Sequence, residues 1–235
     1  MQMLNRLVIG AALAVTSTLA SAAPPTSPVR LFNGKDLAGW SHFLVDPKVA
    51  LAEVWSVRDG ILVCRGEPLG YLQTKDEYTS FRLLVEWRWA KGAAARLGKT
   101  PNSGVLLRVN GEPKGVPRAI EAQLRSGDAG DLYGFWGMTL AGDSARERRR
   151  ASDPVLGDMV GFAKTEAAER PEGEWNLYEI TLDGPSIEVS VNGRKVNAAT
   201  RATVLAGRIG LQSEGGESHF RRVELVPLAG ASAGE

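Results

Sequence analysis

Two short apolar runs in the middle of the chain carry polar side chains at alternate positions. Arg108 interrupts the first run, and Glu121 and Gln123 interrupt the second. Alternate residues of a β-strand share one face, so the pattern predicts an arginine, a carboxylate and an amide on one side of a sheet. Such a carboxylate can move a proton and such an arginine can stabilise an oxyanion. A solvated sheet face, or a structural ion pair between Glu121 and Arg108, would give the same pattern.

A longer run at residues 81–89 alternates in the same way. Its apolar residues, Phe81, Leu83, Val85, Trp87 and Trp89, share one face, and Arg82, Glu86 and Arg88 lie on the other. If this strand neighbours the two shorter ones, Glu86 joins the polar set close to Glu121.

The elements that would position these residues are short strands separated by turns. Asp59-Gly60, Asp183-Gly184 and Asn192-Gly193 each separate two runs of β-pattern, and such pairs are strong hairpin signals. The sequence therefore predicts an all-β sandwich with less than about a tenth of its residues in helix, well below the usual third.

Most tryptophans fall on regular apolar positions, which predicts a place in the core. They are Trp40, Trp55, Trp87 and Trp89. Trp175 begins a strand and is interpreted as structural. The single cysteine, Cys64, excludes an internal disulfide and a cysteine-based zinc cluster, and its apolar run predicts that it is buried.

The segment 136–171 does not follow the pattern of short strands separated by turns. It has no clear periodicity, and long irregular loops in compact domains are usually functional or disordered, so it is interpreted as a lid over a site. The basic run at 146–150 is interpreted as a solvated part of that loop, with contact to an acidic partner as the alternative. The net charge of +1 gives no indication of a nucleic-acid partner.

The start of the chain predicts a signal peptide. Arg6 precedes an apolar stretch at residues 7–14, and Ala20-Ser21-Ala22 fits a signal-peptidase site. The apolar stretch is too short to span a bilayer, so a membrane anchor is the weaker reading. A periplasmic or secreted protein, with no membrane contact after cleavage, is the expectation. The expected organisation is a signal peptide at 1–22, a linker at 23–30, one domain at 31–228 and a flexible tail at 229–235.

Seven segments occur in an order that is typical of one family. They are LFNGKDLAGW, WSVRDGILVC, NSGVLLR, IEAQL, GDLYG, GEWNLYEITLDGPSIEVSVNGRKV and GRIGLQSEGGESHFRRVEL. Together they resemble the 3-keto-disaccharide hydrolase family over nearly all of residues 31–228. The resemblance implies a concanavalin-like jelly-roll β-sandwich of two antiparallel sheets, the concave one lining a carbohydrate cleft.

The resemblance also implies a carbohydrate substrate oxidised at C3 of a glycosyl unit. A ketone at C3 makes the C2 proton acidic and places the C1 substituent β to the carbonyl. Removal of that proton gives an enediolate that expels the aglycone, and water then adds to the enone, so the net result is hydrolysis. Such a site needs a base at C2, donors at the C3 oxygen and an acid for the leaving group.

The family pattern assigns roles to individual positions. Glu121 matches a Glu-x-Gln strand and is the predicted base or polar anchor, Arg108 is predicted to hold the enediolate oxygen, and Glu86 completes the catalytic set. The predicted substrate-binding residues are Asn102, Gln123, Asp131, Tyr133, Trp136 and Lys164. Of these, Tyr133 and Trp136 would offer aromatic faces to a sugar.

One position departs from the family. Many relatives continue the Glu-x-Gln strand with an aliphatic residue and Asp, whereas here Leu124 leads to Arg125-Ser126-Gly127. Asp128 and Asp131 lie close enough in sequence to replace the missing carboxylate, or to bind Ca²⁺ through hard oxygen ligands. A solvated acidic loop is the simpler interpretation, and no other metal or cofactor is indicated.

Two other functional classes remain open at this point. A non-catalytic carbohydrate-binding module would share the fold, the aromatic residues and the polar rim, but would lack the base. A conventional glucanase of this fold would resemble Glu-x-Asp-x-x-Glu along one strand, and the chain has no such spacing.

Overall fold

Sixteen strands make up nearly half of the part of the chain that the computed structural model describes, residues 27–226 and 228. They are β1 (Val29–Arg30), β2 (Trp40–Leu44), β3 (Trp55–Arg58), β4 (Ile61–Cys64), β5 (Gly70–Thr74), β6 (Phe81–Trp89), β7 (Gly104–Asn110), β8 (Arg118–Gln123), β9 (Leu132–Gly134), β10 (Glu147–Asp153), β11 (Gly157–Phe162), β12 (Asn176–Asp183), β13 (Ser186–Val191), β14 (Arg194–Ala199), β15 (Arg208–Ser213) and β16 (Ser218–Val226). Helix is confined to α1 (Leu51–Val54), α2 (Ala93–Leu97) and a 3₁₀ turn at Ser144–Arg146. The low helix content predicted from the sequence is confirmed.

The strands form two antiparallel sheets. The first sheet has the order β14-β13-β12-β6-β16-β4-β3, with β1 added beside β16. The second has the order β10-β11-β9-β8-β7-β15-β5-β2. The predicted sandwich of two antiparallel sheets is therefore confirmed, and its chain passes repeatedly from one sheet to the other.

Two of the predicted hairpins close with the turn chemistry that the sequence indicates. Asp59 and Gly60 have φ values of 51° and 75° between β3 and β4, and Asn192 and Gly193 have 52° and 78° between β13 and β14. Two consecutive positive φ values characterise the type I′ turn, whose twist matches that of the flanking strands. The predicted turn at Asp183-Gly184 lies between β12 and β13.

The core lies between the sheets and contains the tryptophans assigned to it from the sequence. Trp87 and Trp89 of β6 are buried with their rings edge to face at 5.9 Å, and Trp40 and Trp55 are buried as well. Cys64 is also buried. Trp175 instead lies under two guanidinium groups, those of Arg88 and Arg221, each 4.5 Å from its ring centroid.

The segment interpreted as an irregular lid contains a hairpin of the second sheet at residues 147–162, so the expectation of a loop is wrong there. β10 pairs with β11, β11 pairs with β9, and β10 forms one edge of the sheet. The basic run begins at Arg146 in the 3₁₀ turn and continues into β10, so most of it is strand rather than loop. Its side chains are mostly exposed, because an edge strand that packs little against the core needs no alternation of apolar residues.

One predicted boundary, the end of the linker, differs from the structure. Val29–Arg30 pairs with Leu225 and Glu224 of β16, so the sandwich already includes the end of the predicted linker at 23–30. The predicted signal peptide at 1–22 and the predicted tail at 229–235 lie outside the described residues. Within the described residues, none of the helices has the length and apolarity needed to cross a bilayer.

Candidate functional site

Three neighbouring strands build the floor of a cleft on the outer face of the second sheet. Glu121 of β8 lies opposite Leu106 of β7, and Gln123 lies opposite Gly104. On the other side of β7, Leu106 lies opposite Gly210 of β15. Continuing that register places Gln212 beside Gly104, so this glycine lies between two glutamines.

Gly104 makes room for the Glu121 side chain. A Cβ atom at Gly104 would lie less than 3.0 Å from Glu121 Oε1, so the carboxyl group lies directly over the glycine. Gly161 of β11 does the same for Tyr133, whose ring a Cβ atom would also meet at less than 3.0 Å. Two glycines thus let a carboxyl group and an aromatic ring lie flat along the floor.

The cleft has a volume of about 400 Å³, within the range of small-molecule sites. Carboxylates, amides, arginines and apolar side chains all contribute to its walls. They are Asn102, Val116, Glu121, Gln123, Tyr133, Phe135, Arg148, Arg149, Arg150, Leu156, Met159, Gln212 and Glu214. Of the residues predicted from the sequence, Glu121, Asn102, Gln123 and Tyr133 are therefore brought together.

The surroundings of Glu121 disfavour its ionised form. Its side chain is only 2% exposed, and among the described residues its one hydrogen bond is from Gln123 Nε2 at 3.5 Å. No cationic side chain pairs with it within residues 27–226 and 228. Burial, and then the charges of Glu214 and Asp131, raise the pKa of Glu121 well above its ordinary value, because burial and like charges both disfavour the ionised form.

Glu214 is a second carboxyl group in the same cleft. It follows β15, and continuing the pairing of β15 with β7 brings it beside Asn102. Burial raises the pKa of Glu214 to about 7, and the Asn102 amide and Lys99 oppose that rise. The sequence predictions missed this residue, although Gln212 and Glu214 alternate with Leu211 and Ser213 just as Glu121 and Gln123 alternate with apolar residues.

A hydrogen-bonded cluster fixes the wall opposite Glu214. Asp131, 1% exposed, accepts hydrogen bonds from Tyr133 Oη at 3.1 Å, from Arg148 Nη1 at 3.1 Å and from the backbone N–H of Lys164 at 2.8 Å. Arg148 also donates to Tyr133 Oη at 2.7 Å. Burial, then Asp131, raises the pKa of Tyr133 to about 12. Asp131 therefore positions Tyr133 and Arg148 from behind, and only those two line the cleft.

The aromatic surface differs from the predicted one. Tyr133 stacks on Phe135 with ring centroids 6.1 Å apart and an interplanar angle of 4°, and both rings line the cleft. Trp136 lies behind this wall, because its indole N–H donates to the Val116 carbonyl and the Lys114 ammonium lies 3.8 Å from its ring centroid. Phe135 takes the place expected of Trp136.

Arg108 does not face the cleft, so the expectation that it shares a side with Glu121 is wrong. It has a φ of 54°, and the β7–β8 register shifts between Leu107 and Asn110. The bulge reverses the alternation of side chains between the two faces of the sheet from this point on. Val109 therefore packs against Leu106 on the outer face. The guanidinium group is fully buried and donates to the carbonyls of Thr79, Thr203 and Gly184 at 2.6–3.0 Å.

Glu86 and Lys164 also lie away from the cleft floor. Glu86 belongs to β6 of the first sheet, where it pairs with Arg221 and, at 3.9 Å, with Arg222. Its expected proximity to Glu121 is therefore wrong, since the two strands belong to different sheets. Lys164 Nζ donates to the Gly127 carbonyl at 2.6 Å, and this lysine does not line the cleft.

Asp128 and Asp131, the pair considered for Ca²⁺, already form ion pairs with basic side chains. Asp128 pairs with Arg125 at 2.6 Å and lies 3.6 Å from Lys164 Nζ, while Asp131 pairs with Arg148. The described residues contain no group of three or more His, Cys, Asp or Glu side chains arranged to hold a metal ion. The arrangement in the cleft instead provides two carboxyl groups with raised pKa, three amides and three arginines, which suits proton transfer on a polar ligand.

Solved structures with similar folds include carbohydrate-active proteins. A candidate glycosyl hydrolase from Parabacteroides distasonis ATCC 8503 is 21% identical, with a TM-score of 0.60 over 86% of this chain and 94% of that one. The carbohydrate-binding module CBM66 from Bacillus subtilis is 11% identical, with a TM-score of 0.55 over 80% and 95%. The β-glucanase of Bacillus licheniformis is 12% identical, with a TM-score of 0.56 over 85% and 97%. At these identities the likeness shows the fold, and it confirms the predicted concanavalin-like jelly roll.

A family model covers nearly the whole described region. No protein with a curated description matches the chain. The model of the 3-keto-alpha-glucoside-1,2-lyase-like domain matches residues 27–226, which is the extent of the two-sheet sandwich. The chain therefore belongs to the 3-keto-alpha-glucoside-1,2-lyase-like domain family.

Proposed function

We propose that this chain is an exported enzyme that cleaves the glycosidic bond of 3-keto-glycosides or 3-keto-disaccharides. The reaction removes the C2 proton, eliminates the aglycone from C1 and then adds water, so that the net change is hydrolysis. Family membership supports the substrate class. The cleft supports the chemistry, because it places proton-transfer groups beside hydrogen-bonding groups.

The observation that carries this proposal is the set of unpaired acceptors in the cleft. Gln212 Oε1 and Asn102 Oδ1 are buried and have no hydrogen-bond partner among the described residues. Buried acceptors in folded proteins almost always find a donor, and leaving one unpaired costs about 1–3 kcal/mol. A sugar supplies hydroxyl donors for these acceptors, and Tyr133 and Phe135 supply a flat apolar surface for its ring.

Arg148 is suited to the role first assigned to Arg108. Its side chain is about half exposed at the cleft wall, and Asp131 and Tyr133 fix its Nη1. The remaining guanidinium N–H groups are donors for the C3 oxygen, on which negative charge develops when the C2 proton leaves. Donors fixed in advance at such an oxygen stabilise the transition state without further reorganisation.

The direct test is turnover of 3-keto-glucosides, followed by mass spectrometry of the products. The expected result is release of the aglycone from the 3-keto compound and none from the matched, unoxidised glucoside. Cleavage of both compounds at equal rates would indicate a conventional glycosidase. Binding of the sugar without cleavage would indicate a lectin-like module. Either outcome contradicts the proposal.

Replacing Gly104 by alanine is expected to lower kcat/KM about 10- to 100-fold while the sheet remains folded. The new Cβ would occupy the position of Glu121 Oε1, and misplacing a reacting group by about 1 Å can cost that much. Gly210→Ala is the matched control, since its Cβ would meet Leu106 and Leu72 at 3.1 Å and not Glu121. Kinetics of the two variants with equal melting temperatures check the prediction. Equal activity of both would show that the Glu121 position is unimportant.

Export remains part of the proposal and rests on the first 22 residues. The basic start, the apolar stretch and Ala20-Ser21-Ala22 support cleavage before Ala23. N-terminal sequencing of periplasmic or secreted protein is expected to begin near Ala23, and an intact Met1 in that material would contradict export.

A further inference from the structure

We infer that Glu214 is the base that removes the C2 proton and that Glu121, carrying a proton, is the acid that protonates the leaving aglycone. This division of roles rests on the proposed function and deepens it. It also reverses the role that the sequence pattern suggests for Glu121.

The steps balance without a cofactor. The Glu214 carboxylate takes the C2 proton, and the C–H electron pair forms the enediolate, whose charge lies on the C3 oxygen. When the C3 carbonyl re-forms, the C1–C2 double bond forms and the C1–O bond breaks, and the leaving oxygen takes the proton of Glu121. In the second half, water adds at C1 and gives a proton to the Glu121 carboxylate, while Glu214 returns its proton to C2.

The position of Glu121 explains why it holds a proton. Its carboxyl group lies over Gly104 on the cleft floor, almost completely buried, and its only hydrogen-bonding partner in the described chain is the Gln123 amide. The charges that act on its pKa, those of Glu214 and Asp131, are both acidic. A carboxyl group that keeps its proton cannot serve as a base, but it can donate that proton to a leaving group.

Glu214 differs from Glu121 in its solvent access and in its neighbouring groups, and both differences suit a base. It lies at the end of β15, partly open to solvent, with the Asn102 amide and Lys99 beside it from the segment before β7. Both groups favour its charged form, whereas Glu121 has the Gln123 amide at 3.5 Å and no paired cation among the described residues. On the other wall, the Arg148 guanidinium lines the cleft and pairs with the buried Asp131 behind it. One cleft therefore holds two carboxyl groups in different surroundings: the groups beside Glu214 favour its ionised form, and the charges that act on Glu121 disfavour it. Such a difference is a common basis for paired acid and base roles.

The two roles are separable with a substrate analogue that has no leaving group. The 3-keto form of 1,5-anhydroglucitol has an acidic C2 proton and no aglycone, so exchange of that proton in D₂O, followed by NMR, reports the base alone. Cleavage of 3-keto-glucosides with good and poor leaving groups reports the acid. The set of proteins is the wild type, Glu214→Gln and Glu121→Gln.

For Glu214→Gln we expect loss of C2 exchange by about 10²-fold or more, and equal loss of cleavage for every aglycone. For Glu121→Gln we expect exchange within a few-fold of wild type, and a loss of cleavage that shrinks when the aglycone is 4-nitrophenol, which needs no acid. Exchange at the wild-type rate in Glu214→Gln, or abolished exchange in Glu121→Gln, would overturn the assignment. A wild type that neither exchanges nor cleaves would instead remove the proposed function itself.

The wild-type pH profile tests the assignment without any variant. Because a base must be ionised, C2 exchange is expected to rise with pH through a midpoint near 7, the pKa that burial gives Glu214. The Asn102 amide and Lys99 act on Glu214 in this range and favour its ionised form. An exchange rate that is constant or falls between about pH 6 and 8 would contradict Glu214 as the base.

Discussion

Replacing Glu121 by glutamine is expected to lower kcat for a 3-keto-glucoside by about 10²-fold or more, the usual scale for a general acid or base. The amide keeps the size of the neutral carboxyl group over Gly104 but cannot release a proton to the leaving oxygen. Binding of the sugar is expected to change little, since the Gln212 and Asn102 acceptors and the Tyr133 ring remain. Steady-state kinetics and calorimetric binding measure the two effects separately.

Glu86→Gln is the matched control for this variant. It makes the same chemical change on β6 of the other sheet, where Glu86 pairs with Arg221, and it is expected to leave turnover unchanged. Normal turnover by Glu121→Gln would remove Glu121 from the mechanism. Equal losses in both variants would point to a general effect of charge rather than to proton transfer.

The same variant also has an expected effect on stability. The pKa of Glu121 is raised in the folded state above its ordinary value of 4.5, so the folded protein binds this proton more tightly than the unfolded chain. That contribution to stability is complete below about pH 4.5 and is lost as pH rises through the folded pKa. Glu121→Gln has no such proton to lose. Its melting temperature at alkaline pH is therefore expected to equal or exceed that of wild type, and a lower value would contradict a neutral Glu121.

Replacing Arg108 by methionine is expected to cost about 3–5 kcal/mol of folding free energy, the scale for removing one partner from a buried charged network. Four hydrogen bonds from this guanidinium satisfy three carbonyls, those of Thr79, Gly184 and Thr203. These carbonyls belong to loops at the same end of the sandwich, so the arginine connects loops of both sheets. Methionine would remove all four of these hydrogen bonds at once.

Thermal unfolding measures this effect, which corresponds to a melting temperature lower by on the order of 10 °C for a domain of this size. Arg82→Met is the control, because its pair with Glu179 is largely exposed and such pairs contribute about 0–1 kcal/mol. Folded Arg108→Met protein is expected to retain its kcat. Unchanged stability together with lost turnover would contradict this structural role and indicate that Arg108 acts in the catalytic site.

Local sequence patterns predicted the strands well, because hairpin turns and alternation depend on nearby residues. Asn192-Gly193 and the nine residues of β6 are examples in which turn type and buried face follow directly from residue type. Arg108 is the exception on a strand, since one bulged residue with positive φ reverses every face that follows it. Nothing in the local sequence marks that bulge.

The site was predictable only in part, because its members are separated along the chain. Glu121 and Gln123 share a strand, and their common face follows from alternation. Glu214 reaches the same cleft through the pairing of β15 with β7, about a hundred residues earlier in the chain, and Arg148 reaches it through the basic edge strand. Glu86 was misplaced for the same reason, since which strands become neighbours depends on the whole sandwich.

The basic edge strand also bears on how copies of the protein meet. β10 ends the second sheet, so within the described chain one row of its backbone N–H and C=O groups has no neighbouring strand. An open edge of this kind can accept a strand from another molecule, which is a first step in aggregation. Arg148, Arg149 and Arg150 each place a guanidinium group along it. Two copies approaching edge to edge would bring these like charges together. The arginines that line the cleft are therefore expected to oppose the addition of further strands at this edge, and with it growth into fibrils.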